Sequence, residues 1–342
     1  MLVTFGEIMM RLSPPGHLRF SQARIFDVTY GGGEANVAVG AACLGLSSRF
    51  VTRLPDNDLG RACSLYVSQY GVDTSHIIWG GERLGIYFYE VGAVQRGSKV
   101  VYDRTDSALA TIELGMVNWE EIFDGANWFH FTGITPAVSE NAYAACLKGV
   151  QKAKDMGLTV SCDLNYRAKL WKWGKRADQI MSELVELTDV VVGNEEDADK
   201  VFGIKARDVD IKGVKVNVCQ YRDVVEKLVK QFPNIKKVAF TLRGSINADH
   251  NQWSSLYFDG KKYFQGKTYQ ITHLVDRVGG GDSFVAGLIY GLNTFPEDSE
   301  RVVEFATAAS CLKHTVVGDF NLVTQAEVEK LMQGDASGRV AR

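Results

Sequence analysis

Strand-like and helix-like runs alternate along most of this chain, and that alternation limits the fold more than any other feature. Leu2 to Gly6, Arg49 to Leu54, Asn127 to Thr132, Leu158 to Asp163 and Asp189 to Val192 read as strands. Glu34 to Leu44, Leu59 to Tyr70, Ser139 to Met156, Ala177 to Leu187 and Glu195 to Phe202 read as helices between or after them. Gly45, Gly71, Gly157 and Gly203 follow four of these helices, where a left-handed residue is the usual stop. Such a pattern implies βαβ units, hence an α/β fold with a mostly parallel central sheet covered on both faces. There is no fixed-period repeat.

Two stretches break the alternation. Residues 12–33 and 84–107 carry β-type patterning without helical periodicity, and Gly85 to Val91 with Lys99 to Arg104 look like paired strands. They predict a small β layer set outside a main body formed by 1–11, 34–83 and 108–335. Asp259-Gly260, between the β-type runs Ser254 to Phe258 and Lys261 to Phe264, predicts a two-residue hairpin. Residues 205–219 read as a polar excursion.

Composition excludes several classes. The net charge of −3 lacks the clustered basic footprint of a nucleic-acid binder. No run approaches the about 18–20 apolar residues of a membrane span. The start has no basic segment or small-residue cleavage site of a secretory signal. The 6 cysteines are scattered without a C-x-x-C pair, which predicts free thiols in a reducing compartment, hence a cytoplasmic protein.

The chain has no Walker-type phosphate loop, no dinucleotide fingerprint opening a helix after the first strand, and no nucleophile elbow. It has two other glycine clusters. Gly279-Gly280-Gly281-Asp282 follows the β-type run Ile271 to Val275 and opens a helix. Backbone N–H groups converging at a helix start bind anions, because they are unpaired and the helix dipole favours negative charge. Asp282 reads either as the helix N-cap or as a carboxylate taking a substrate hydroxyl proton beside a phosphate cradle. Gly31-Gly32-Gly33 opens a second helix with Asn36 in its first turn. It reads either as a plain turn or as close backbone approach to a small ligand.

Together these segments resemble the ribokinase/PfkB family of carbohydrate kinases. The N-terminal signature matches Gly32, Gly33, Asn36 and Ala38 and continues through Gly45 to Asp56 and Gly60. The C-terminal one matches Asp276 to Phe284, with Arg277 in place of Thr and Gly280 in place of Ala. The resemblance implies a ribokinase-like three-layer αβα sandwich whose small β layer (12–33 and 84–107) is a lid. It implies ATP and Mg2+ as cofactors, with Asp282 as the catalytic base and Gly279, Gly280 and Gly281 as the anion hole.

Gly6 to Pro14, Gly85 to Tyr87, Val101 to Arg104, Cys162 to Arg167 and Leu312 to Asn321 are similar to members that phosphorylate the terminal hydroxyl of 2-keto-3-deoxygluconate. By that resemblance Gly33, Asn36, Tyr87, Tyr102, Arg104 and Arg167 line the sugar-acid site. Arginine suits a carboxylate, since its planar fork offers paired donors. Arg11 stands about where neutral-sugar relatives carry Asp, which again points to an acid. On the nucleotide side the resemblance assigns Asn194, Thr241, Gly244, Ala308 and Asn321. Either Asp197 or Glu196 serves Mg2+, and Asp276 belongs to a loop that in relatives holds a monovalent cation such as K+. His314 reads as a helix C-cap and His130 as a core residue. Arg167, Asn194, Thr241 and Asp282 all follow predicted strands, where open α/β sheets bind ligands. The uncovered β layer predicts a homodimer through the lid. The rival readings are a kinase of a neutral ketose such as fructose and a non-catalytic sensor on the same scaffold.

Overall fold

Every glycine expected to stop a helix does so with positive φ, at positions 45, 71, 157 and 203. Helix starts are equally local in origin. The Ser139 hydroxyl accepts from the Ala142 N–H at 3.0 Å and begins Glu140–Asp155. That helix buries Ala142, Ala145, Cys146, Gly149, Val150 and Ala153, the stripe that a period of 3.6 puts on one face. This computed structural model describes residues 1–205 and 218–335; the polar stretch expected over 205–219 falls mostly outside them.

Among the described residues the main sheet has nine strands. In spatial order they are Tyr263–Gln265, Asn251–Phe258, Lys237–Ser245, Val190–Gly193, Thr159–Asp163, Trp128–Thr132, Leu2–Phe5 and Ser48–Val51, with Tyr269–Ile271 also paired to Asn251–Phe258. From Lys237–Ser245 to Ser48–Val51 all neighbours are parallel. Both faces are apolar, as a covered parallel sheet requires. Val191, Phe129 and Phe240 pack into one core with helices Glu140–Asp155, Ala177–Val185 and Val218–Gln231. Val190, Val192 and Ala239 point the other way, into a core with helices Gly33–Cys43, Gly280–Thr294 and Ser299–Lys313. Three layers result. Gly287 lets the last two helices touch: a Cβ there would lie 2.9 Å from Ala306 Cα.

The second sheet has, among the described residues, four strands in the order Asp27–Gly31, Met9–Ser13, Gly85–Glu90, Lys99–Asp103. It begins three residues before the expected position 12, because Met9 already pairs with Gly31 and Gly85. Lys99–Asp103 is exposed along its whole length. The expected hairpin exists, but its loop has four residues rather than two. Phe258 pairs with Tyr263, and the Asp259 carboxylate accepts from the Lys261 and Lys262 N–H groups at 2.8 Å, which widens the turn. Among the described residues no helix is long and apolar enough to cross a membrane.

Candidate active site

The two glycine turns meet. Gly279 is the N-cap of Gly280–Thr294 with φ +82°, and a Cβ there would collide with the Asp319 carbonyl oxygen. The Gly280 N–H donates to the Arg277 carbonyl at 3.4 Å, which leaves the Gly281 and Asp282 N–H groups as the free donors of this helix start. The space beside Gly281 is open, with no atom within 4 Å of a Cβ built there. Asp282 is not the cap. Its carboxylate accepts from Asn36 Nδ2 at 2.6 Å, and a Cβ at Gly33 would lie 3.7 Å from its other oxygen. Gly33 and Asn36, far from Asp282 in sequence, thus form one corner with it. Burial raises the Asp282 pKa to about 6, against the Asn36 hydrogen bond that lowers it; Asp319 pushes it up, and Arg167 and Lys313 pull it down.

Arg167 follows Thr159–Asp163 and is exposed; it forms no ion pair among the described residues, donating to the Tyr166 carbonyl at 3.0 Å. Its charge acts on three carboxylates, Asp163, Asp197 and Asp282. Asp163, which the sequence presents only as a strand end, is buried. Burial first, then Asp197 and Asp282, hold its carboxyl well above the usual range. Asp197 is buried too, pushed up to about 6 by desolvation, and accepts from the Tyr166 N–H at 3.0 Å. Asn194 is the N-cap of Glu195–Phe202, its side chain accepting from the Asp197 N–H at 2.9 Å. Glu196 is exposed.

No three His, Cys, Asp or Glu side chains among the described residues converge enough to hold a metal alone. Under-compensated acids beside an anion cradle fit a divalent ion that enters with a nucleotide, since Mg2+ is usually bound by one or two carboxylates plus phosphates.

Thr241 lies within Lys237–Ser245 rather than after it, paired across to Ser255, and Gly244 is paired to Gln252 near the strand's end. Ala308 is fully buried among Leu44, Tyr290 and Phe305. Asn321 is held by Ser283 Oγ and the Ala309 carbonyl. Neither therefore faces an open cleft, because close packing of the last two long helices buries both. His314 caps Ser299–Lys313 with Nδ1 at 2.8 Å from the Ser310 carbonyl, and burial lowers its pKa to about 4. His130 is a core residue, 2.8 Å from Ser161 Oγ and lowered to about 3 by burial.

The small sheet supplies Tyr87, Tyr102 and Arg104. Tyr102 is 45% exposed and sits across from Tyr87, their rings 5.9 Å apart. Tyr87 is buried and donates to Asp319 at 2.5 Å. Arg104 stacks over Tyr102 but is ion-paired to Glu7. Arg11 departs furthest from expectation. It is 3% exposed and ion-paired to both Asp276 and Asp319, so it does not point a free guanidinium at a substrate. Asp276, which the resemblance places in a loop that holds a monovalent cation in relatives, accepts from Arg11 and from the Gly318 N–H.

The model of the pfkB family carbohydrate kinases matches residues 1–325. The chain belongs to the PfkB family of carbohydrate kinases. The 2-dehydro-3-deoxygalactonokinase of Haloferax volcanii is 33% identical over 98% of both chains. The 5-dehydro-2-deoxygluconokinase of Bacillus subtilis is 25% identical over 98% of this chain and 96% of its own. Among solved structures, the 2-dehydro-3-deoxygluconokinase of Thermotoga maritima superposes with a TM-score of 0.92 at 48% identity, covering 97% of this chain and 99% of its own. In this PfkB chain the family's ribokinase-like α/β fold carries the additional small sheet described above.

Proposed function

We propose that this PfkB kinase transfers the γ-phosphoryl group of ATP to the terminal hydroxyl of 2-keto-3-deoxygluconate, giving 2-keto-3-deoxy-6-phosphogluconate. The observation that carries this reading is the corner of Gly33, Asn36 and Asp282 at a helix start, with Arg167, which has no ion pair among the described residues, acting on the same carboxylate. Asp282 accepts the hydroxyl proton as the substrate oxygen bonds to the γ-phosphorus and the bond to the ADP oxygen breaks. Asn36 holds the receiving carboxylate in place. The Gly281 and Asp282 N–H groups steady the charge on the transferring group, which suits a loose transition state that asks mainly for positioning. Arg167 binds the sugar carboxylate, with Tyr87, Tyr102 and Arg104 on the lid side. Arg11 and Arg104 are ion-paired, so the case for an acidic substrate over a neutral ketose rests on Arg167 and on the similar kinases.

Thr241 and Gly244 flank the nucleotide. Bound with its phosphates, Mg2+ supplies charge neutralisation, and Asn194, Asp197 and Glu196 are the residues placed to serve it. Closure of the small sheet as a lid excludes water from the transfer. The exposed apolar residues of that sheet, Val28, Val100 and Val101, support a homodimer through the lids. Cys43, Cys63, Cys146, Cys162 and Cys311 are free, which fits the cytoplasm. The test is product analysis with ATP, Mg2+ and the sugar acid: the reading expects one phosphoryl group on the terminal oxygen. Phosphorylation elsewhere on the sugar refutes the placement of Asp282. Offering the galactonate epimer separately decides which configuration the site prefers.

A further inference from the structure

Asp319 touches both glycine turns at once. Its carboxylate occupies the space where a side chain at Gly31 would begin, and its backbone carbonyl the space where one at Gly279 would. The same carboxylate accepts from Tyr87 Oη at 2.5 Å and from Arg11 Nη1 at 2.8 Å. Arg11 Nη2 donates to Asp276 at 2.6 Å, three residues before Gly279, and Nε donates to Ser13 Oγ at 2.9 Å. Asp276 in turn accepts from the N–H groups of Val278 at 3.0 Å and Gly318 at 3.1 Å. One guanidinium therefore ties the strand Met9–Ser13 to the segment entering the Gly279 turn and to the segment packed on it. Arg11, Asp276 and Asp319 are all buried.

We propose that Arg11 and Asp319 form a positioning pair that sets the separation of the two glycine turns, and so holds Asn36 2.6 Å from the Asp282 carboxylate. The proposal rests on the reading of Asp282 as the base. A buried ion cluster is weak support for stability, because desolvation offsets most of its Coulomb gain. What a guanidinium adds is geometry: a rigid fork with donors at fixed angles, which an ammonium cannot reproduce. Burial alone would pull the Arg11 pKa down, but Asp319 and Asp276 carry it above its ordinary value, so the fork stays charged.

The test uses Arg11→Ala, Arg11→Lys and Asp319→Asn in the full chain. A misplacement on the order of 1 Å costs about 10²-fold in rate, so kcat is expected to fall by about that factor in each, with KM for ATP little changed. A cavity of about 730 Å³ is lined by Arg11, Asp276 and Gly318, which gives a small cation a route to the vacated place. Millimolar guanidinium chloride is expected to restore kcat saturably in Arg11→Ala, and not in Arg11→Lys, Asp319→Asn or the unsubstituted protein. A merely structural role would not respond in that way. Wild-type kcat in folded Arg11→Ala, or a loss that guanidinium does not relieve, overturns the proposal. If Arg11→Ala does not fold, Asp319→Asn is nearly isosteric, and wild-type kcat there overturns it equally. Asp282→Asn measured alongside separates the two ideas: full activity in that variant removes the base, whereas rescue of Arg11→Ala bears on the pair alone.

Discussion

Replacing Asp282 by Asn removes a proton acceptor while leaving an oxygen for Asn36 to donate to. The fold is therefore expected to survive and the chemistry to suffer. A positioned general base contributes roughly 10²–10⁴-fold, so kcat is expected to drop by about that range, or about 2.7–5.5 kcal/mol in barrier. The pKa of about 6 adds a pH signature. A carboxyl with that value is roughly one-tenth ionised at pH 5 and nine-tenths at pH 7, so kcat/KM for the sugar is expected to rise about tenfold between them and then level off.

The stability change has the opposite sign. The folded-state pKa lies above the ordinary carboxyl value, so the protonated form is favoured by folding. That contribution is full below the ordinary value and is lost as pH rises through about 6. Asp282→Asn is then expected to raise Tm at pH 7.5, where wild type holds a desolvated charge. Steady-state kinetics from pH 5 to 8 and calorimetry on both proteins check this. A variant with near-normal kcat, or one that keeps the same acid limb, refutes the assignment.

Gly279→Ala forces a side chain to adopt φ +82°, at a cost of about 1–2 kcal/mol, and drives its Cβ into the Asp319 carbonyl. Lower Tm and lost activity are expected together, and unchanged activity would contradict the cradle. Arg167→Ala is expected to raise KM for the sugar acid with Tm unchanged, since the side chain is exposed and bonds only its neighbour's carbonyl among the described residues; unchanged KM and kcat would remove it from the site. Val101→Glu places a charge on a 53% exposed valine of the small sheet. Light scattering is expected to show the unsubstituted protein as a dimer and the variant as a monomer, and a monomeric unsubstituted protein would contradict the lid interface. With Arg11 seated on Asp276, activity in Na+ and in K+ media is expected to be alike; strong dependence on K+ would show a cation site elsewhere.

Much of this arrangement is legible in the chain because its causes are local. Helix stops come from single glycines, helix starts from Ser139 and Asn194, and the buried strand from the continuous apolar run Val190 to Val192. Both glycine turns and Asp282 stand out for the same reason. The roles of Arg11 and Asp319 are not local. The two residues are 308 positions apart, and nothing near Arg11 distinguishes a side chain that will pair with buried carboxylates from one that will meet a substrate. Ala308 reads as a plausible lining residue only until the neighbouring helix covers it. Asp163 had a signal, a carboxylate at the carboxyl end of a buried strand, but only the fold brings Asp197 and Asp282 near enough to shift it. The hairpin loop lengthened because the Asp259 side chain binds two backbone N–H groups, a competition between side chain and turn that the Asp-Gly pair alone does not reveal.

The most direct measurement is ADP release with ATP and Mg2+, offering 2-keto-3-deoxygluconate and fructose in separate reactions. The account predicts strong turnover on the acid, little on fructose, and loss of the acid's advantage in Arg167→Ala. Efficient turnover on fructose instead would keep the fold and Asp282 but contradict the sugar-acid site.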